Sequence, residues 1–294
     1  MSAPAQAAVQ SARAGLRVPP TLDHADMGPL IARSAKCEVF ALGESTVVKF
    51  YPLGTTAQEV RRQIDLSHRV HGAGINAPWV ADAPTRHGTD GRLGALYQRR
   101  QGRTITRMLR ANPLALLPIA RLLALEHRRL HSRPAIDGLP SIRSRLQAHL
   151  AKDVHLAPPL KDALSSIVDD LPDGESICHG DFCWDNLLVS ADEVTVLDWA
   201  DVGLGDPVCD VARTWVLINF NDGTDSPPIR WICRMLSAAY LRAYRGGQAF
   251  DARRFADWRL VNAALRLRDL PERHHPRLLR FVEREFAARG RIGR

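Results

Sequence analysis

Residues 187–189 and 194–197 are short apolar runs separated by Ser190-Ala-Asp-Glu193, a pattern that predicts a β-hairpin with a polar loop. Asp181 and Asn186 stand just before the first strand, and Asp198 follows the second. A hairpin folds its outer ends together, so these three side chains are expected to converge on one small volume. Two carboxylates and an amide oxygen make a hard-oxygen set suited to Mg²⁺. Any fold for this chain must therefore embed one polar hairpin at its chemical centre.

The flanking sequence splits in character. Residues 37–42 and 46–51 lie either side of a Gly43-Glu-Ser turn and predict a second hairpin, with Lys49 in its second strand. From the residues alone Lys49 can point to either face. Pro52-Leu-Gly54 breaks that strand, and Thr55 or Thr56 can cap a helix running to residue 71. Glu59 and Gln63, four apart, share one face of it. Runs at 80–83 and 93–98 predict two further strands. Beyond Gly102 the apolar spacing is helical, over residues 114–130, 140–150, 159–171, 208–220, 229–244, 255–270 and 276–288, with 219–228 as a loop.

Composition narrows the function classes. A formal charge of +8 and a pI near 9.7 would suit nucleic acid or an anionic membrane. The cations are dispersed, however, and do not alternate with the aromatics that a single-strand stacking surface needs. No apolar run reaches the ~18 residues of a membrane span. Neither nucleic acid nor membrane is an expected partner, and a cytoplasmic location is. Only four of the 40 cationic side chains are lysines (Lys36, Lys49, Lys152, Lys161), so each marks a position where arginine can fail to substitute. The five cysteines are irregularly spaced without a C-x-x-C pair, as expected of reduced, structural thiols. Cys178 and His179 are adjacent on an extended segment, which points them to opposite faces and argues against a nucleophile–base pair.

Magnesium-assisted phosphoryl transfer needs a carboxylate for the nucleophile, metal ligands, and a cation on the phosphates. Asp181 and Asn186 have the spacing of a kinase catalytic loop, and Asp198 stands where a second metal-binding Asp would follow. His179-Gly-Asp181-x4-Asn186, Leu197-Asp198-Trp199 and Gly205-Asp206-Pro207-x2-Asp210-Val-Ala together resemble the aminoglycoside phosphotransferase and choline-kinase-like family.

The resemblance implies an α+β, protein-kinase-like two-lobe fold. A small N-terminal antiparallel sheet with one helix would be followed by a larger, mainly helical C-terminal lobe carrying the catalytic hairpin. Residues 1–25 would be a disordered tail, 26–100 the nucleotide-binding lobe and hinge, and 101–294 the catalytic and substrate lobe. It implies ATP and Mg²⁺ as cofactors and a hydroxyl of a small molecule as phosphate acceptor: an aminoglycoside, amino alcohol, sugar or natural product. Asp181 would be the catalytic base, and Asn186 and Asp198 the metal ligands. His179 would order the loop, and Asp206 and Asp210 would be structural. Lys49 would contact the phosphates, paired with either Glu59 or Gln63. Gln98, Arg99 and Arg100 would form the hinge at the adenine edge, and Ser34 would stand in a phosphate loop that contains no glycine. Asp201, Asp222 and Asp225 are candidate carboxylates for a cationic acceptor. The competing expectation is a non-catalytic, pseudokinase-like nucleotide binder. The oligomeric state is left open.

Overall fold

The computed structural model describes residues 18–34, 36–221, 226–246 and 251–292, with side chains to residue 289. The expected tail lies outside the described residues up to residue 17. From Val18 the backbone has a definite path, and β1 (Thr21–Leu22) pairs in parallel with β5 (Thr85–His87). Two compact units form. The first comprises residues 1–103 and 187–200, and the second residues 104–186 and 201–294.

The first unit carries a six-stranded sheet. Besides β1 and β5 it contains β2 (Leu30–Arg33), β3 (Glu38–Leu42), β4 (Thr46–Phe50) and β6 (Leu93–Gln98), in the order β1-β5-β6-β4-β3-β2. Apart from the β1–β5 pair, its neighbours run antiparallel. The period-2 alternation of β4 sends Val48 and Phe50 into one apolar cluster with Phe40 and Leu96. Tyr51 enters a second cluster, with Val60 and Ile64 of helix α1 (Ala57–Gly72). Lys49 is two residues from Tyr51 and so shares the helix-covered face, which resolves the ambiguity left by its sequence. Thr56 caps α1 in a capping box with Glu59.

β7 (Arg103–Thr104) marks the first crossing of the chain between the units. The expected polar hairpin is β9 (Leu187–Val189) and β10 (Val194–Val196), in register Val194↔Val189 to Val196↔Leu187. It belongs to the first unit, where the Val196 N–H donates to Asn76 O at 3.0 Å.

The second unit is helical: α2 (Ile105–Ala111), α3 (Leu116–His131), α4 (Ile142–Lys152), α5 (Pro158–Asp170), α6 (Pro207–Asn219), α7 (Pro227–Arg245), α8 (Ala252–Leu265) and α9 (His275–Ile292). Pro118 sits in the first turn of α3, where its missing N–H breaks no intrahelical bond. Helix α8 stops earlier than the periodicity predicts and passes into a 3-10 turn, Arg266–Asp269. A short antiparallel pair, β8 (Ser176–Cys178) with β11 (Gly203–Gly205), lies among the helices. It was not predicted, because Gly-Leu-Gly has no apolar alternation. The Gly205 Cβ position is 2.9 Å from Ile142 Cβ, so glycine is what lets β11 lie against α4. Among the described residues, no helix is long and apolar enough to cross a membrane.

Candidate active site

The segment around Asp181 is held by its backbone. Asp210, in the first turn of α6 and almost fully buried, accepts the N–H groups of His179 (2.6 Å) and Gly180 (2.9 Å). The same carboxylate takes His127 Nε2 at 3.0 Å and His131 Nε2 at 3.3 Å, both from α3. The opposite ring nitrogens of these histidines meet Tyr240 and Tyr244 of α7, each at 2.7 Å. One proton arrangement satisfies every group: each tyrosine hydroxyl donates to Nδ1, and each Nε2–H donates to Asp210. His127 also stacks on Phe182, with centroids 4.0 Å apart. Asp210 was expected to be structural, and it is the direct anchor of the loop. The histidines and tyrosines carried no signal in sequence, since two histidines on an apolar helix face read as ordinary core.

Burial, together with neighbouring His131, pulls His127 down to about 4 despite the Asp210 carboxylate. Burial and the Arg268 and Arg145 guanidiniums do the same to His149, also to about 4. Their usual value lies near 6.5, so between about pH 6.5 and 4 the unfolded chain takes up protons that the folded chain refuses. Stability is therefore expected to fall as pH is lowered through that window. Urea midpoints measured at pH 7 and 4.5 check this, and His127→Asn should reduce the difference.

Gly180 has φ +79°, and a Cβ there would lie 2.4 Å from Asp201 O, so glycine is required before Asp181. Asn186 donates through Nδ2 to Asp181 O (2.9 Å) and to Asp181 Oδ2 (3.1 Å). Because the amide nitrogen faces two oxygens, its own oxygen points away and makes no hydrogen bond among the described residues. That oxygen is a suitable hard ligand. Arg213 Nε donates to Gly180 O at 3.3 Å, and its Nη2 lies 3.8 Å from Asp181 Oδ1. Asp206 caps α6 through Val208 N and receives Arg254 and the Trp258 indole N–H, as its structural role requires.

In the first unit, Lys49 Nζ lies 2.8 Å from Asp198 Oδ1 and 5.6 Å above the ring of Tyr51. Burial alone would lower its pKa, but the Asp198 carboxylate outweighs that and holds the ammonium charged. Asp198 has φ 58°, the one positive φ outside glycine among the described residues. Such a conformation costs free energy for any residue with a Cβ, and Asn and Asp tolerate it best. Asp198→Asn is therefore expected to keep the backbone turn, yet to lose stability and turnover because the largely buried Lys49 ammonium is left without its carboxylate. A thermal melt alongside a turnover assay checks both halves.

Glu59 does not meet Lys49. Its carboxylate accepts the Thr56 N–H (2.7 Å) and hydroxyl (2.8 Å) at the exposed start of α1. Gln63 is half-buried, and Lys49 takes Asp198 as its acidic partner. The N–H groups of Gln98 and Arg99 are engaged by Trp79 O and Ser45 O, both at 2.9 and 2.8 Å respectively, and so are not open to an adenine edge. Arg100 ties the hairpin down through Asn76, Glu193 and Thr195. Ser34 Oγ accepts the N–H groups of Lys36 and Cys37 at 3.1 Å and so closes its own turn. Cys178 is fully buried, which pushes its thiol up, the wrong direction for a nucleophile. Asp201 is half-buried, and Asp222 and Asp225 lie outside the described residues.

A sheet-and-helix first unit and a helical second unit with a pinned His-Gly-Asp loop define a kinase-like fold. The chain belongs to the phosphotransferase enzyme family, whose model matches residues 33–258. It is therefore a phosphotransferase by family. Solved structures with a similar fold include a thermostable mutant of aminoglycoside phosphotransferase APH(4)-Ia, at 16% identity and TM-score 0.62, covering 91% of this chain and 95% of that one. Amicoumacin kinase in complex with AMP-PNP, Ca²⁺ and Ami is 14% identical, with TM-score 0.57 and coverage of 95% and 92%. A choline/ethanolamine kinase family protein from Mesorhizobium loti is 18% identical, with TM-score 0.55 and coverage of 95% and 92%. No curated protein sequence matches the chain.

Proposed function

We propose that this phosphotransferase moves the γ-phosphoryl group of ATP to a hydroxyl of a small molecule, with Asp181 as the base. The observation that carries this reading is the Asn186 clamp: its amide N–H₂ orients the Asp181 carboxylate and leaves its own oxygen available. Asp181 orients the acceptor hydroxyl and takes its proton as the O–P bond forms. Lys49 presents a compact cation to the phosphates. Asn186 and Asp198 would hold Mg²⁺, and their oxygen donors suit that ion. When bound, the ion would neutralise charge on the phosphates. Pinning of the His179–Gly180 backbone supplies the positional precision that such chemistry depends on.

Aminoglycosides, amino alcohols, sugars and other hydroxylated natural products all fit this scheme as acceptors. The test is ADP release from ATP and Mg²⁺ across a panel of these classes. Acceptor-stimulated, Mg²⁺-dependent release is expected. A second reading, a nucleotide binder without turnover, is favoured by the Ser34 turn, whose N–H groups face inward onto Ser34 rather than outward to phosphates. ATP binding with no release for any acceptor would select it.

A further inference from the structure

Arg213, which adjoins Asp181, shares a carboxylate with a second arginine, Arg266. Arg213, on α6, reaches Asp269 Oδ2 at 3.0 Å, and Arg266 reaches the same oxygen at 3.5 Å. Two guanidiniums thus share one oxygen of one carboxylate. Arg213 also approaches Asp181, as described above, and Arg266 Nε donates to Phe220 O at 3.2 Å. Arg213 Nη1 and Arg266 Nη2 make no hydrogen bond among the described residues. The side chains keep 11% and 14% of their surface in solvent, so the idle donors remain reachable. Burial and the neighbouring Arg213 charge lower the Arg266 pKa, offset in part by Asp269 and Asp181.

Each guanidinium thus keeps one idle nitrogen, and two such donors from neighbouring arginines suit the two oxygens of a carboxylate, a group that arginine matches as well as it does phosphate. The idle guanidinium nitrogens are donors only and offer an ammonium group no acceptor. We propose that Arg213 and Arg266 form an anion subsite for a carboxylate on the acceptor, which makes the acceptor a hydroxylated carboxylic acid rather than a polyamine. The acid and the reacting hydroxyl would sit a few bonds apart on that molecule, because Arg213 adjoins the base. This rests on the phosphotransferase reading given above, and names the class of acceptor within it.

The test compares matched pairs that differ in the acidic group, gluconate with sorbitol and glycerate with glycerol, with kanamycin and ethanolamine as cationic members. Wild-type enzyme is expected to prefer each acid over its alcohol by about tenfold or more in kcat/KM, the effect of one charge-assisted contact. Arg266→Gln should collapse that acid-over-alcohol ratio through the acceptor KM, and Arg266→Lys should restore part of it. Preference for the cationic members would overturn the proposal. So would an equal loss on acids and alcohols, or a rise confined to the KM for ATP, and each of these leaves the phosphotransferase reading intact. Thermal shift by the same compounds provides a readout independent of turnover. The acids, and not the alcohols, should raise the melting temperature of the wild type, and Arg266→Gln should abolish the increase. Absence of any acid-specific shift overturns the subsite. Acid-specific shifts with no ADP release for any compound would retain the subsite and count against the phosphotransferase reading.

Discussion

Asp181→Ala is expected to lower kcat by about 10²–10⁴-fold, the range for removing a positioned general base, with nucleotide affinity preserved. The separation follows from where the groups reside. Asp181 is held within the second unit by Asn186 and the Asp210-anchored backbone, whereas Lys49 and its partner Asp198 belong to the first. Removing the Asp181 carboxylate leaves the Lys49 ion pair untouched. Single-turnover phosphoryl transfer measured beside nucleotide titration checks this. Transfer at the wild-type rate would remove Asp181 from the role of base.

Asp210→Ala should have the largest effect on folding, about 3–5 kcal/mol by urea unfolding, the usual result of deleting one partner from a buried charged network. Two backbone N–H groups and two imidazole N–H groups, those of His179 and His127 buried and those of Gly180 and His131 partly so, would lose their acceptor at once. Asp210→Asn is expected to recover only part of the loss, because one amide oxygen cannot receive what two carboxylate oxygens do. Variants that still fold should lose kcat more than acceptor KM, since the loop that carries Asp181 would no longer be pinned.

Much of the fold was legible in sequence because periodicity reports burial. Helix α1 with its Thr56 cap, the β3–β4 and β9–β10 hairpins, and most later helices all follow from apolar spacing and turn residues. Strands β8 and β11 were not legible, since one of them is glycine-rich and two-sided burial erases alternation. At the site, motif spacing singled out Asp181, Asn186 and Asp198, and the family resemblance added Lys49. Partners are a different matter, because they depend on where a side chain ends. Glu59 shares a helix face with Gln63 yet turns back to cap Thr56. His127, His131, Tyr240 and Tyr244 come from two helices more than a hundred residues apart, and no local pattern joins them.

The composition of the first unit has a consequence for synthesis. Arg100 and Asn76 wait for Glu193, Thr195 and Val194, which leave the ribosome only after the first helices of the second unit have been made. All six strands of the sheet that carries the lysine precede the first crossing, but the hairpin that leads to Asp198 follows it. A gene fragment ending at the first crossing would encode all six strands yet lack the β9–β10 hairpin, with the Arg100 and Asn76 side chains deprived of their partners there. Folding of the two units is thus interleaved in time, and Asp198 reaches Lys49 as one of the late contacts.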